Sequence, residues 1–159
     1  MDGDDAIKNL AQWVDDALNT RCRLTTPAAQ NVPDSANATV SWTVEDIDPK
    51  GMFTSSSSTS AIFISRPGRY RVNAQIAFAS GAVAGYRRIS LARNGVVVGQ
   101  SQCAPLPVAQ ATQVGIVATF VFQAGQWLEV WAAQTSGAAL GLSVGAVLNW
   151  FEVEYAGAV

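Results

Sequence analysis

Two carboxylates, Glu152 and Glu154, sit two positions apart near the end of the chain, and in an extended strand they share one face. Residues i and i+2 of a strand lie roughly 7 Å apart, a separation at which a carboxylate pair can cleave a glycosidic bond. Outward acids on an alternating strand are common, so the pair reads as solvent-facing or interfacial and not as a catalytic dyad. The chain has no histidine. Triads and dyads that rely on an imidazole base, and the usual catalytic zinc sites, are therefore excluded. Glu45, Asp46 and Asp48 offer oxygens of the kind calcium takes, but the ligand spacing of a calcium-binding loop is absent, and the segment reads as a solvated acidic turn. Cys22 and Cys103 have no metal-ligand spacing and read as free thiols, with a bridge between them left open. Gly137 to Gly145 lacks the lysine and helix start of a phosphate cradle. No catalytic residue, metal site or cofactor is expected.

The elements that place these groups are mostly strands. From Pro67-Gly68 onward, Tyr70, Val72, Ala74, Ile76 and Phe78 alternate with Arg69, Arg71, Asn73 and Gln75, which predicts a strand with one face in an apolar core. Val40, Trp42 and Val44 predict an earlier strand, and Ile62 and Ile64 a short one. Ile89 and Leu91 predict another, returned by Val96 to Val98 across the Asn94-Gly95 hairpin signal. A loop is expected from Gln100 to Gln110. Val114 to Phe122 carries apolar residues on both faces and predicts a strand buried on both. Trp127 to Ala132 and Leu148 to Tyr155 complete the set. Strands separated by turn signals, with no helical pattern between them, give an all-β sandwich, and the strand count suits a jelly roll.

One helix is predicted, over residues 4 to 18. Ile7, Leu10, Val14 and Ala17 recur at spacings of 3, 4 and 3, and Trp13 and Leu18 widen the stripe. Asp2 or Asp4 suits its start, and Arg21 and Arg23 suit its end. About four turns is marginal for a lone helix, so it must pack on its own domain, on copies of itself or on another protein. The expected division is a helix over 1–21, for anchoring or assembly, and a β-sandwich over 22–159.

With 159 residues the chain can bury a core without staples. Apolar residues make up 49 % of it, 14 % are charged and the net charge is −2. There is no basic footprint for nucleic acid, and so few polar groups favour burial between subunits. The acidic start and the lack of a long apolar run predict neither export by the usual leader nor membrane insertion. Arg66, Arg69, Arg71, Arg87, Arg88 and Arg93 cluster in one region, either to dock an acidic neighbour or as separate solvated charges.

The run from Ile62 to Phe78, with Pro67-Gly68 followed by Tyr70, resembles a strand pair of the complement C1q and tumour necrosis factor-like jelly roll. The Trp42 strand with its Asp48 to Phe53 turn, the Asn94-Gly95 hairpin, the pair around Ala124-Gly125 and the terminal aromatic strand follow in matching order. With neither a leader nor a collagen-like repeat, the closer resemblance is to bacteriophage virion proteins carrying such a domain. The resemblance implies a homotrimer without enzymatic activity, most simply a minor tail or tail-tip protein that displays the jelly roll for host-surface attachment. It would be made in the host cytoplasm and joined to other virion proteins through the N-terminal helix. A capsid decoration or head-fibre protein is the alternative, as is a carbohydrate-binding module reaching a host glycan through exposed tryptophans. Subunit contacts are expected among Phe120, Phe122, Trp127, Trp131, Trp150 and Phe151.

Overall fold

The computed structural model describes residues 3–107 and 110–159, with the side chains of Asp16 and Ala17 left aside. Helix α1 spans Gly3–Asn19, and a single residue, Thr20, separates it from β1 (Arg21–Thr25). β2 (Asn31–Val32), β3 (Asn37–Thr39), β4 (Val44–Ile47) and β5 (Ala61–Phe63) are short. The long strands follow as β6 (Gly68–Phe78), β7 (Arg87–Arg93), β8 (Val96–Cys103), β9 (Thr112–Phe122) and β10 (Trp127–Gln134), then β11 (Leu140–Gly141) and β12 (Trp150–Gly157).

Two antiparallel sheets face each other across one core. The first runs β4-β1-β12-β6-β9, and the second runs β3-β10-β7-β8 with β5 also paired to β10. Strand β6 is central to the first, and its alternation is realised: Tyr70, Val72, Ala74 and Ile76 are buried, and Arg69 and Arg71 are exposed. Tyr70 meets Phe122 and Tyr155 edge-on at 5.8 and 5.3 Å, and its hydroxyl donates to the Arg66 carbonyl at 2.9 Å. Trp42 packs on Phe151 at 5.7 Å. The hairpin forms at Asn94-Gly95, both with positive φ (51° and 77°), as the mirror-image turn requires. The Asn94 side-chain oxygen accepts from the Trp127 amide at 3.0 Å, which docks the hairpin tip on the start of β10.

Several expectations are corrected. The strand expected from Val40 to Val44 is broken because the chain there crosses between sheets. The Val40 amide donates to Val130 of β10 at 2.9 Å, whereas the Thr43 amide donates to Thr25 of β1 at 3.2 Å. Arg21 and Arg23 do not close the helix; they lie in β1, whose alternation of Cys22 and Leu24 into the core is brief. Part of the expected Gln100 to Gln110 loop is strand, since β8 stays paired with β7 as far as Arg87↔Cys103. Strand β9 is not buried on both faces, for Val117 is 74 % and Val121 43 % exposed.

Candidate assembly surfaces

The first sheet turns its second face outward with a charged lattice. In register across β1, β12 and β6 lie Arg23, Glu152 and Asn73, and beside them Arg21, Glu154 and Arg71. Glu152 accepts from Arg23 at 3.0 Å and Glu154 faces Arg71 at 3.5 Å, while Arg23 also reaches Asp46 at 3.6 Å and lies 5.0 Å from the centre of the Trp150 ring. Each glutamate here is engaged by a guanidinium on a neighbouring strand. The acidic turn is likewise used internally: the Asp48 carboxylate accepts the Met52 and Phe53 amides at 2.8 and 2.7 Å. Among the described residues no three histidine, cysteine or acidic side chains converge on a metal position.

The clustered arginines do not form one patch. Arg87 is fully buried, donating to the carbonyls of Ala82, Ala84 and Tyr86, so it pins the 79–86 loop over the end of the core. Arg88 donates to Asn37 and covers Tyr86.

The six aromatics expected at a subunit contact fall in different places. Phe122 and Phe151 are fully buried in the chain's own core and have no surface to offer a neighbour, which removes them from that set. Both point inward from their strands, where large apolar side chains fill the sandwich. Trp127 and Trp131 lie on the outward face of the second sheet on either side of Glu129, because Leu128, Val130 and Ala132 take the inward one. Trp150 lies half-buried on the outward face of the first sheet. Phe120 is half-buried beside Phe122 at 5.8 Å, between the sheets.

Phe120 marks a surface that aromatic content did not reveal. Strands β8 and β9 are the free edges of the two sheets and lie together on one side of the sandwich, where a Cβ built at Gly99 would approach Ile116 and Phe120 at 3.4 and 3.7 Å. Val96, Val97, Val117 and Val121 are exposed there, and Ile116, Ala118 and Phe120 are partly so. Neither strand contains a charged residue, and none occurs anywhere between Arg93 and Glu129. Long apolar edges invite strand pairing or aggregation unless charge, brevity or a cover protects them. The opposite side is protected: β4 carries Glu45 and Asp46, and β3 is three residues long. The run without charge was readable in the sequence; its place on two adjoining edges was not.

A second apolar surface is the stripe on α1. Ile7, Leu10, Trp13, Val14 and Leu18 are 40–69 % exposed, and the Ala17 side chain lies outside the described residues. Asp15 ion-pairs with Lys50 and accepts from Asn19 at 2.7 Å, which ties one flank of the helix to its own domain. The Lys50 ammonium, and then Asn19, hold the Asp15 carboxyl below its ordinary pKa. Among the described residues no helix is long and apolar enough to cross a membrane.

Both thiols are free. Burial pushes the Cys22 thiol far up, and the negative charges of Asp48 and Glu45 add to that. Burial also raises Cys103, with Arg87 acting the other way. Thiol reagents should therefore miss Cys22 until the chain unfolds, counted by mass spectrometry after brief labelling. Above about pH 8.5 an unfolded thiol ionises and Cys22 in the fold does not, so its contribution to stability falls as pH rises. The alkaline decline should be shallower in Cys22→Ala; identical slopes would contradict this.

Compared by sequence, the chain matches no family model and no curated protein. Solved structures are similar in shape. A tumour necrosis factor, Eiger, from S. frugiperda matches with a TM-score of 0.62 and 14 % identity over 87 % of this chain and 93 % of that one. Murine APRIL at pH 8.0 gives 0.64 and 13 % over 86 % and 98 %. The globular domain of zebrafish complement 1qA gives 0.62 and 10 % over 88 % and 99 %. The two five-stranded antiparallel sheets, with one N-terminal helix among the described residues, are a C1q/TNF-like jelly roll.

Proposed function

We propose that this chain is a non-enzymatic structural subunit of a bacteriophage particle. It assembles as a homotrimer, is fixed to the virion at its N-terminal helix, and displays the jelly roll at a tail or tail tip for attachment to the host surface. The observation that carries the reading is the pair of uncharged edges, β8 and β9, on one side of a sandwich whose other side is guarded. An edge of one copy set against a different surface of the next is a heterologous contact, which closes into a ring when the rotation is right. The outward face of β6 and β12, with Trp150 among its arginines and glutamates, is a suitable counterpart. No acid or base is freed for catalysis by the ion pairs of that face.

Immunogold labelling of particles with an antibody to the jelly roll tests the location. Label at the tail tip is expected; label over the capsid would favour the decoration reading, and unlabelled particles would contradict both. Deleting residues 1–18, which spares the buried Thr20, should leave a folded chain that no longer enters particles, measured by blotting purified virions. Unchanged incorporation would contradict anchoring by the helix. The carbohydrate-binding reading has its own observation in Trp127 and Trp131, which stand outward along one strand as stacking platforms stand. Quenching of tryptophan fluorescence by a host saccharide, lost in Trp131→Ala, would favour it.

A further inference from the structure

Ile7, Leu10, Trp13, Val14 and Leu18 of the α1 stripe stay exposed among the described residues, and the register of the stripe indicates what covers it. Ile7, Leu10, Val14 and Ala17 fall at successive a and d positions of a heptad, the spacing by which one helix packs along another. The flanking e and g positions from residue 6 onward are Ala6, Ala11, Trp13 and Leu18. A two-helix seam would cover a and d and leave Trp13 and Leu18 in water, where both now stand more than half exposed. A third helix encloses them as well. Asp5, Lys8, Asp15 and Asp16 lie at positions outside the seam, and Asp4 alone stands at a flanking e position, in the first turn. Nor does the helix suit a bilayer surface: interfacial helices carry a basic polar face, and this one has acids in its first turn and a single lysine.

The junction supports repetition by symmetry. Thr20, the only residue between α1 and β1, is buried, and its carbonyl accepts the Tyr155 amide at 2.8 Å. With the Asp15–Lys50 pair, this fixes where the helix leaves the domain. Three domains related by a three-fold axis therefore present three helices in parallel and in one register.

We infer that the stripe is occupied by the same helix of the other two copies, forming a parallel three-helix bundle of about two heptads, with its acidic outer face left for the particle. This rests on the trimer reading proposed above. The test uses the full chain with single cysteines at Ile7→Cys, Val14→Cys and, as the outward control, Lys8→Cys, under mild oxidation at micromolar concentration. The native chain, whose Cys22 is buried, gives the background. The first two variants should form disulfide-linked pairs in up to about two-thirds of chains, because a ring of three leaves one thiol unpaired, and Lys8→Cys should stay near background. Equal cross-linking at all three positions, or none at any, in a sample whose mass is three chains would overturn the bundle and leave the trimer standing. A monomeric mass before oxidation would instead remove the trimer, and the bundle with it.

Discussion

Replacing Val117 with glutamate is expected to dissociate the assembly into folded monomers. In a single chain Val117 is 74 % exposed, opposite Asn73 on the outward face of β9, so a carboxylate there changes monomer stability by less than about 0.5 kcal/mol. Between subunits the same carboxylate would be buried; neither β8 nor β9 carries a cation, and Arg23 and Arg71 of the proposed counterpart face are already engaged by Glu152 and Glu154. An uncompensated buried charge costs about 3–5 kcal/mol, and each 1.4 kcal/mol is a factor of about ten in affinity. A trimer carries the substitution three times. The measured pair is the mass in solution and the thermal unfolding profile of monomer and variant. Val147→Glu, 82 % exposed in the loop before β12, serves as control and should leave the mass unchanged. A Val117→Glu chain that keeps the native mass would place the contact elsewhere.

Gly85→Ala is expected to be the most damaging single methyl group in the chain. Gly85 has φ of +72°, and a Cβ there would lie 1.7 Å from the Thr135 carbonyl oxygen and 2.3 Å from its hydroxyl. The loop has little room to yield, since the Tyr86 amide donates to the Thr135 hydroxyl and Arg87 grips three carbonyls of the same loop. The left-handed backbone costs an alanine about 1–2 kcal/mol and forced overpacking about 1–3 kcal/mol more. Gly95 has a similar φ of +77° but open space around it, so Gly95→Ala carries only the backbone cost. Urea midpoints of the two variants measure the difference; equal losses would show that the contact with Thr135 does not limit the loop.

The sequence carried the fold where alternation was long and uninterrupted. Eleven residues of β6 with the Pro-Gly turn before them left little choice of face, and Asn94-Gly95 specified its own hairpin. It failed where the cause was tertiary. Trp42 is buried like a strand residue but belongs to a crossing between sheets, which local periodicity cannot distinguish from a strand. The five residues of β1 were hidden behind the helix they abut, and the glutamines and serines of β8 resemble loop until β7 is laid beside them. For the assembly surface the types were legible and the positions were not. Aromatic content drew attention to Phe122 and Phe151, which the core uses, whereas the valines and missing charges of β8 and β9 become a surface only once the topology makes both strands edges. The helix stripe was readable from spacing alone, and its exposure is what the structure adds.

The central claim is that uncharged edges on one side of this jelly roll are closed by other copies of the chain. Light scattering of the native protein across a dilution series tests it most directly. A mass of three 16.7 kDa chains that persists on dilution is the result expected. A monomeric mass at every concentration would contradict it, and would leave both the β8–β9 edge and the helix stripe exposed in solution.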